Sequence, residues 1–166
     1  MTVKTKKAAF LGLFIALALI FSFIESQIPP LITIPGVKLG LPNIVTVFLL
    51  YKFGWKETVT VNILRVFLAA LLFGNIQSFL FSICGAVFSL LGMILLKKFS
   101  KFSCISVSVV GGVLHNMGQV LFAVFWTNTE EISLMLPLYI LSGTVAGIVI
   151  GIISGLIVKK TEKFKI

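Results

Sequence analysis

Along the chain, polar residues fall in short clusters and six long apolar runs lie between them, at residues 8–24, 41–53, 57–73, 76–96, 105–126 and 134–158. A helix that crosses a membrane takes about 20 residues, within a range of about 17–25. The pattern therefore predicts an all-α membrane protein, a six-transmembrane-helix bundle forming one domain over residues 1–166. The second run is short by this measure. It is expected either to begin in the preceding loop or to cover part of the bilayer and rely on its neighbours.

The polar clusters set the orientation. Lys4, Lys6 and Lys7 precede the first run, and Lys52 and Lys56 flank the turn between the second and third. Lys97, Lys98 and Lys101 lie between the fourth and fifth, and Lys159, Lys160, Lys163 and Lys165 follow the sixth. With six spans, these twelve of the fourteen basic residues share one side, and the opposite loops hold only Lys38. Basic residues mark the cytoplasmic side, so both termini are predicted there, in a multi-pass protein of the cell membrane.

Composition agrees. The chain is 58% hydrophobic and 11% charged, whereas soluble domains are about 45–50% apolar and about 25% charged. The net charge of +9 reflects these topogenic lysines and implies no nucleic-acid partner. Lysines before the first run resemble the start of a signal peptide, but Ser22-Phe23-Ile24-Glu25 offers no small-x-small cleavage pattern, so a retained helix is expected. Cys84 and Cys104 form no CxxC and read as small core-filling residues. No metal site and no cofactor follow from the sequence.

One connection is irregular. Residues 25–43 contain four of the five prolines. The segment is too apolar to stand free in water, which leaves two readings: a lid across the outer mouth, or a connector resting in the headgroups. Pro42 suits the first position of the second helix, where a missing N–H costs nothing.

Small residues recur at four-residue spacing on two helices, as Gly143, Gly147, Gly151 and Gly155 on the sixth and Ala8, Gly12 and Ala16 on the first. Such rows let two backbones approach closely, which is how helices associate in lipid. Internal packing is the expectation for the sixth helix. For the first, docking onto another membrane protein stands level with it.

The apolar runs also contain polar residues that lipid would reject. Arg65, the chain's single arginine, lies roughly 15 Å into the third helix at 1.5 Å per residue. A guanidinium at that depth costs at least about 2.5–3.5 kcal/mol on insertion scales, so it must face a partner or a wet cavity. Asn62 shares its face. On the fifth helix His115 and Gln119 share a face at matching depth, with Asn116 beside them. Asn43, Asn75 and Gln77 lie toward the outer ends. Phe73, Phe79, Phe81, Phe122, Phe125 and Trp126 gather there too, to wall a cavity or to form an interfacial belt. The acidic residues, Glu25, Glu57, Glu130, Glu131 and Glu162, all sit at or near helix ends. An arginine without a carboxylate at its depth favours an anionic ligand. Arg65, Asn62, His115, Asn116, Gln119, Asn43, Asn75, Gln77 and Phe122 are the predicted substrate-binding set.

The runs LGLPNIVTVFLLYKFG (39–54), ILRVFLAALLFGN (63–75) and GGVLHNMGQ (111–119) resemble the Gx transporter family, whose members also bear the name heptaprenyl diphosphate synthase component I. The likeness covers nearly the whole chain. It implies kinship with the S components of energy-coupling factor transporters, small six-helix proteins that bind a micronutrient within the membrane. These dock on a transmembrane T subunit driven by two ATPases through a small-xxx-small motif on the first helix, which Ala8, Gly12 and Ala16 match. The sequence carries no riboflavin, thiamine or biotin signature, and a quinone or isoprenoid precursor is suggested by the family's other name. The alternative is an accessory membrane subunit of heptaprenyl diphosphate synthase. Catalysis is not expected: prenyl diphosphate synthases hold Mg²⁺ through aspartate-rich motifs, and the chain has no aspartate.

Overall fold

The computed structural model describes residues 3–28, 39–99 and 102–161. Most of the irregular segment lies outside the described residues, as do Lys38, Lys101, Glu162, Lys163, Lys165 and the side chains of Lys4 and Lys6. The regular elements are helices: α1 (Val3–Gln27), α2 (Asn43–Lys52), α3 (Trp55–Phe73), α4 (Ile76–Phe99), α5 (Cys104–Thr127) and α6 (Leu136–Lys160). A short 3-10 turn, Glu130–Met135, leads into α6. Each helix falls on a predicted apolar run, with its ends shifted by a few residues.

Among the described residues, four stretches are long and apolar enough to cross a membrane: Lys7–Gln27, Ile76–Phe99, Cys104–Thr127 and Glu130–Lys160. The other two helices fall short for different reasons. α3 has the length but carries Lys56, Glu57 and Arg65. α2 has ten residues, about 15 Å at 1.5 Å per residue, or half the hydrocarbon thickness.

α2 is short because it is an interior helix. Ile44, Val45, Thr46, Val47, Phe48, Leu49 and Leu50 are buried without interruption, and α1, α3, α5 and α6 pack around it. A helix apolar on all sides is covered by protein, so it need not match the bilayer. Its ends are satisfied internally. The Lys97 ammonium donates to the Leu50 carbonyl and sits 4.7 Å over the Tyr51 ring, while the Tyr51 hydroxyl donates to the Phe102 carbonyl at 2.7 Å. At the other end Gly40 turns the chain at φ +79°, and the Glu25 carboxylate accepts from the Gly40 and Leu41 amides. Pro42 stands at the cap, one residue ahead of its predicted place.

The glycines of α6 are used inside the molecule. A Cβ at Gly143 would lie 2.7 Å from the Gly112 carbonyl oxygen, one at Gly147 2.5 Å from Val109 Cα, and one at Gly151 2.6 Å from Ile105 Cα. Backbone meets backbone along the α5–α6 seam, which is the internal packing expected of this row. Helix α5 has a second close face toward α4, where a Cβ at Gly118 would lie 3.1 Å from Gly85 Cα. The row on α1 differs: Ala8, Gly12 and Ala16 are exposed, and nothing lies within 4 Å of a Cβ at Gly12.

The described lysines gather at one end of the bundle. There Lys7 pairs with Glu57 at 2.5 Å, joining the starts of α1 and α3, and Lys97 joins the ends of α4 and α2.

Candidate functional site

Helix α3 turns one face inward at helical spacing, through Thr58, Val61, Asn62 and Val66, while Leu64, Phe67, Leu71 and Leu72 point outward. Arg65 follows Val61 by four residues, so it belongs to the inner face, and so does Ala69 after it. Both line a cavity of about 140 Å³ to which all six helices contribute.

The cavity is lined by many small residues, several hydroxyls among them. Ser22 and Ser26 line it from α1, Ser78, Ser82 and Ser89 from α4, and Ser108 from α5. Gly111 and Gly112 of α5, with Gly143 and Gly147 of α6, complete a wall with little side chain. Gly85 of α4 makes room for the polar face of α5, since a Cβ there would meet His115 Nε2 at 2.9 Å and Gln119 Cγ at 3.0 Å.

Five predicted residues meet at this cavity: Arg65, His115, Asn116, Gln119 and Asn43. Their states differ. The Asn116 amide donates to the Tyr139 carbonyl at 2.8 Å and the Ser142 hydroxyl at 3.0 Å, tying α5 to α6. Gln119 is 6% exposed, and its carbonyl oxygen Oε1 is buried with no hydrogen-bond partner among the described residues. Arg65 has neither a hydrogen-bond nor an ion-pair partner among the described residues.

The other four lie elsewhere. Asn62 donates to the Thr46 hydroxyl at 2.8 Å, fastening α3 to α2 outside the cavity. The Asn75 side chain accepts from the Ser78 amide at 2.7 Å, at the start of α4. Gln77 is exposed. Phe122 packs between Phe81 and Trp126, at ring separations of 5.0 and 5.8 Å, away from the cavity. Of the aromatic residues gathered toward that end, Phe73 lines the cavity, whereas Phe125 is 83% exposed.

Glu25 corrects the electrostatic reading. Position along α1 placed it at a helix end, away from Arg65, yet its side chain lines the same cavity and its charge acts on the guanidinium. The two make no contact ion pair; among the described residues that contact is made by Lys7 and Glu57. Reading helix depth one helix at a time misses a carboxylate that reaches inward from the mouth. The serines had a legible signal: Ser78, Ser82 and Ser89 repeat at four and seven residues, one face of α4.

The sequence profile of heptaprenyl diphosphate synthase component I matches residues 14–157, most of the chain. The chain belongs to this family. No curated protein and no solved structure matches it. Every residue lining the cavity falls within the stretch shared with heptaprenyl diphosphate synthase component I, as do the three motifs that carry the resemblance.

Proposed function

We propose that this chain is a membrane-embedded binding component of the S-component type, which takes a small ligand with an anionic group into the cavity for uptake. In this reading all six helices sit in the cell membrane, with the lysine-rich end on the cytoplasmic side as the bias of basic residues requires. One observation carries the proposal: Arg65, well inside α3, lines the cavity with neither a hydrogen-bond nor a contact ion-pair partner among the described residues. Glu25 eases the burial of that charge from the mouth, but one of its carboxylate oxygens is engaged by two backbone amides. The planar guanidinium fork is matched to carboxylate or phosphate. The cavity measures about 140 Å³, several times the roughly 30 Å³ that one water takes up in the liquid. That suits a compact ligand. Native mass spectrometry of the purified protein in lipid nanodiscs tests the reading: a small anion retained by the wild type and lost from Arg65→Ala supports it, and equal retention by both would sink it.

The family name favours a second reading, an accessory subunit of heptaprenyl diphosphate synthase. The chain has no aspartate with which to hold magnesium diphosphate, and seven isoprene units exceed the room in the cavity. Purified protein supplied with labelled prenyl precursors and Mg²⁺ is therefore expected to form no long-chain product. Robust synthesis by this chain alone would overturn the transport reading.

Transport requires an energy source, and the partners proposed are a transmembrane T subunit and two ATPases docking on the exposed row of Ala8, Gly12 and Ala16. Gly12→Leu is expected to abolish co-purification with them while leaving the bundle folded, because nothing lies within 4 Å of a Cβ at that position. Normal assembly of the folded variant would assign docking to another face.

A further inference from the structure

Resting on the reading of the cavity as a binding site, the charges around it narrow the ligand class. Arg65 requires an oxyanion. A second charged group lining the cavity, Glu25, requires the opposite. The Glu25 carboxylate spends Oε1 on the Gly40 and Leu41 amides and has a second oxygen that those amides do not use. A simple anion would leave Glu25 without a counter-charge, and beside Glu25 it would be repelled.

The groups are separated along the bundle axis. Phe23 of α1 meets Phe73 of α3 at a ring separation of 5.8 Å. Glu25 lies just beyond Phe23 toward the mouth. Arg65 lies about two turns below Phe73, taking 3.6 residues per turn.

We infer that the ligand is a compact zwitterion, its oxyanion seated on Arg65 and its protonated amine received by Glu25. Such a ligand neutralises both charges of the cavity. Its size is bounded by the cavity of about 140 Å³.

Four probes of similar size test this: hexanoate, hexylamine, 2-aminohexanoate and 6-aminohexanoate. The two amino acids share one formula and differ in charge spacing. Binding to the purified protein in nanodiscs is measured by calorimetry. One of the amino acids is expected to bind at least about tenfold more tightly than hexanoate, the loss of a charge-assisted hydrogen bond being of that order. Which one it is reads out the spacing. Glu25→Gln keeps an oxygen for the Gly40 and Leu41 amides, so the turn is retained, and it should erase the amino acid's advantage while hexanoate binds no less well.

The inference is overturned if hexanoate binds as tightly as both amino acids, if the advantage survives Glu25→Gln, or if neither amino acid binds at millimolar concentration. Failure of the underlying reading looks different. Hexanoate binding that Arg65→Ala abolishes, with no gain from the amine, removes the zwitterion and keeps the anion site. Binding of hexylamine alone removes both.

Discussion

Arg65→Ala is expected to weaken binding of the ligand that co-purifies with the protein by roughly ten- to a hundredfold. A charge-assisted hydrogen bond to an ionised group contributes about 1.5–3 kcal/mol, and each 1.4 kcal/mol is about a factor of ten. The upper end of the range is favoured by Glu25. With the guanidinium gone, the cavity keeps a carboxylate, and an incoming oxyanion meets repulsion where attraction had balanced it. Arg65→Lys restores the charge but not the planar pair of donors, so its affinity should fall between the two. Calorimetry in nanodiscs with the identified ligand distinguishes the cases, and thermal unfolding monitors the fold. Unchanged affinity in Arg65→Ala, accompanied by a lower unfolding temperature, would make Arg65 a structural residue and withdraw the anionic site.

Much of this arrangement is legible in sequence because lipid simplifies the rules. Apolar runs and lysine clusters locate all six helices, and Arg65, His115 and Gln119 stand out because an apolar solvent leaves no neutral reason for them. What escapes is whatever depends on how helices meet. Asn62 shares a face with Arg65, but a neighbouring hydroxyl on α2 captures its amide. Phe122 lies one turn from Gln119 and still turns toward Phe81 and Trp126. Glu25 is judged by its place on α1, whereas its carboxylate reaches across to the turn before α2. The burial of α2 is likewise a property of its neighbours. Its ten residues suggest a deficient span, and only the packing of α1, α3, α5 and α6 shows why no span is required of it.

The largest structural effect is expected from adding one methyl group to the α5–α6 seam. Gly147→Ala should destabilise the bundle by about 1–3 kcal/mol or more, the range for overfilling a tightly packed interior. The new Cβ would lie 2.5 Å from Val109 Cα, 2.9 Å from the Ser108 carbonyl oxygen and 3.0 Å from the Val109 nitrogen. All three are backbone atoms of α5, so no rotamer change relieves the clash and the two helices must separate. Separation forfeits van der Waals contact along the whole seam, and in lipid no hydrophobic force replaces it. It also moves the cavity wall, because Gly147, Gly143 and Gly112 line it, so ligand retention should fall together with stability. Two controls share the chemistry but not the crowding. A Cβ at Gly155 comes no nearer than 3.6 Å, to the Cys104 side chain, and one at Gly12 meets nothing within 4 Å. Both alanine variants should unfold within about 0.5 kcal/mol of the wild type, as substitutions without a clash do. Thermal unfolding of the four proteins in one detergent makes the comparison. If Gly147→Ala unfolds with the controls, α5 and α6 do not meet backbone to backbone, and the cavity wall they form is wrong with them.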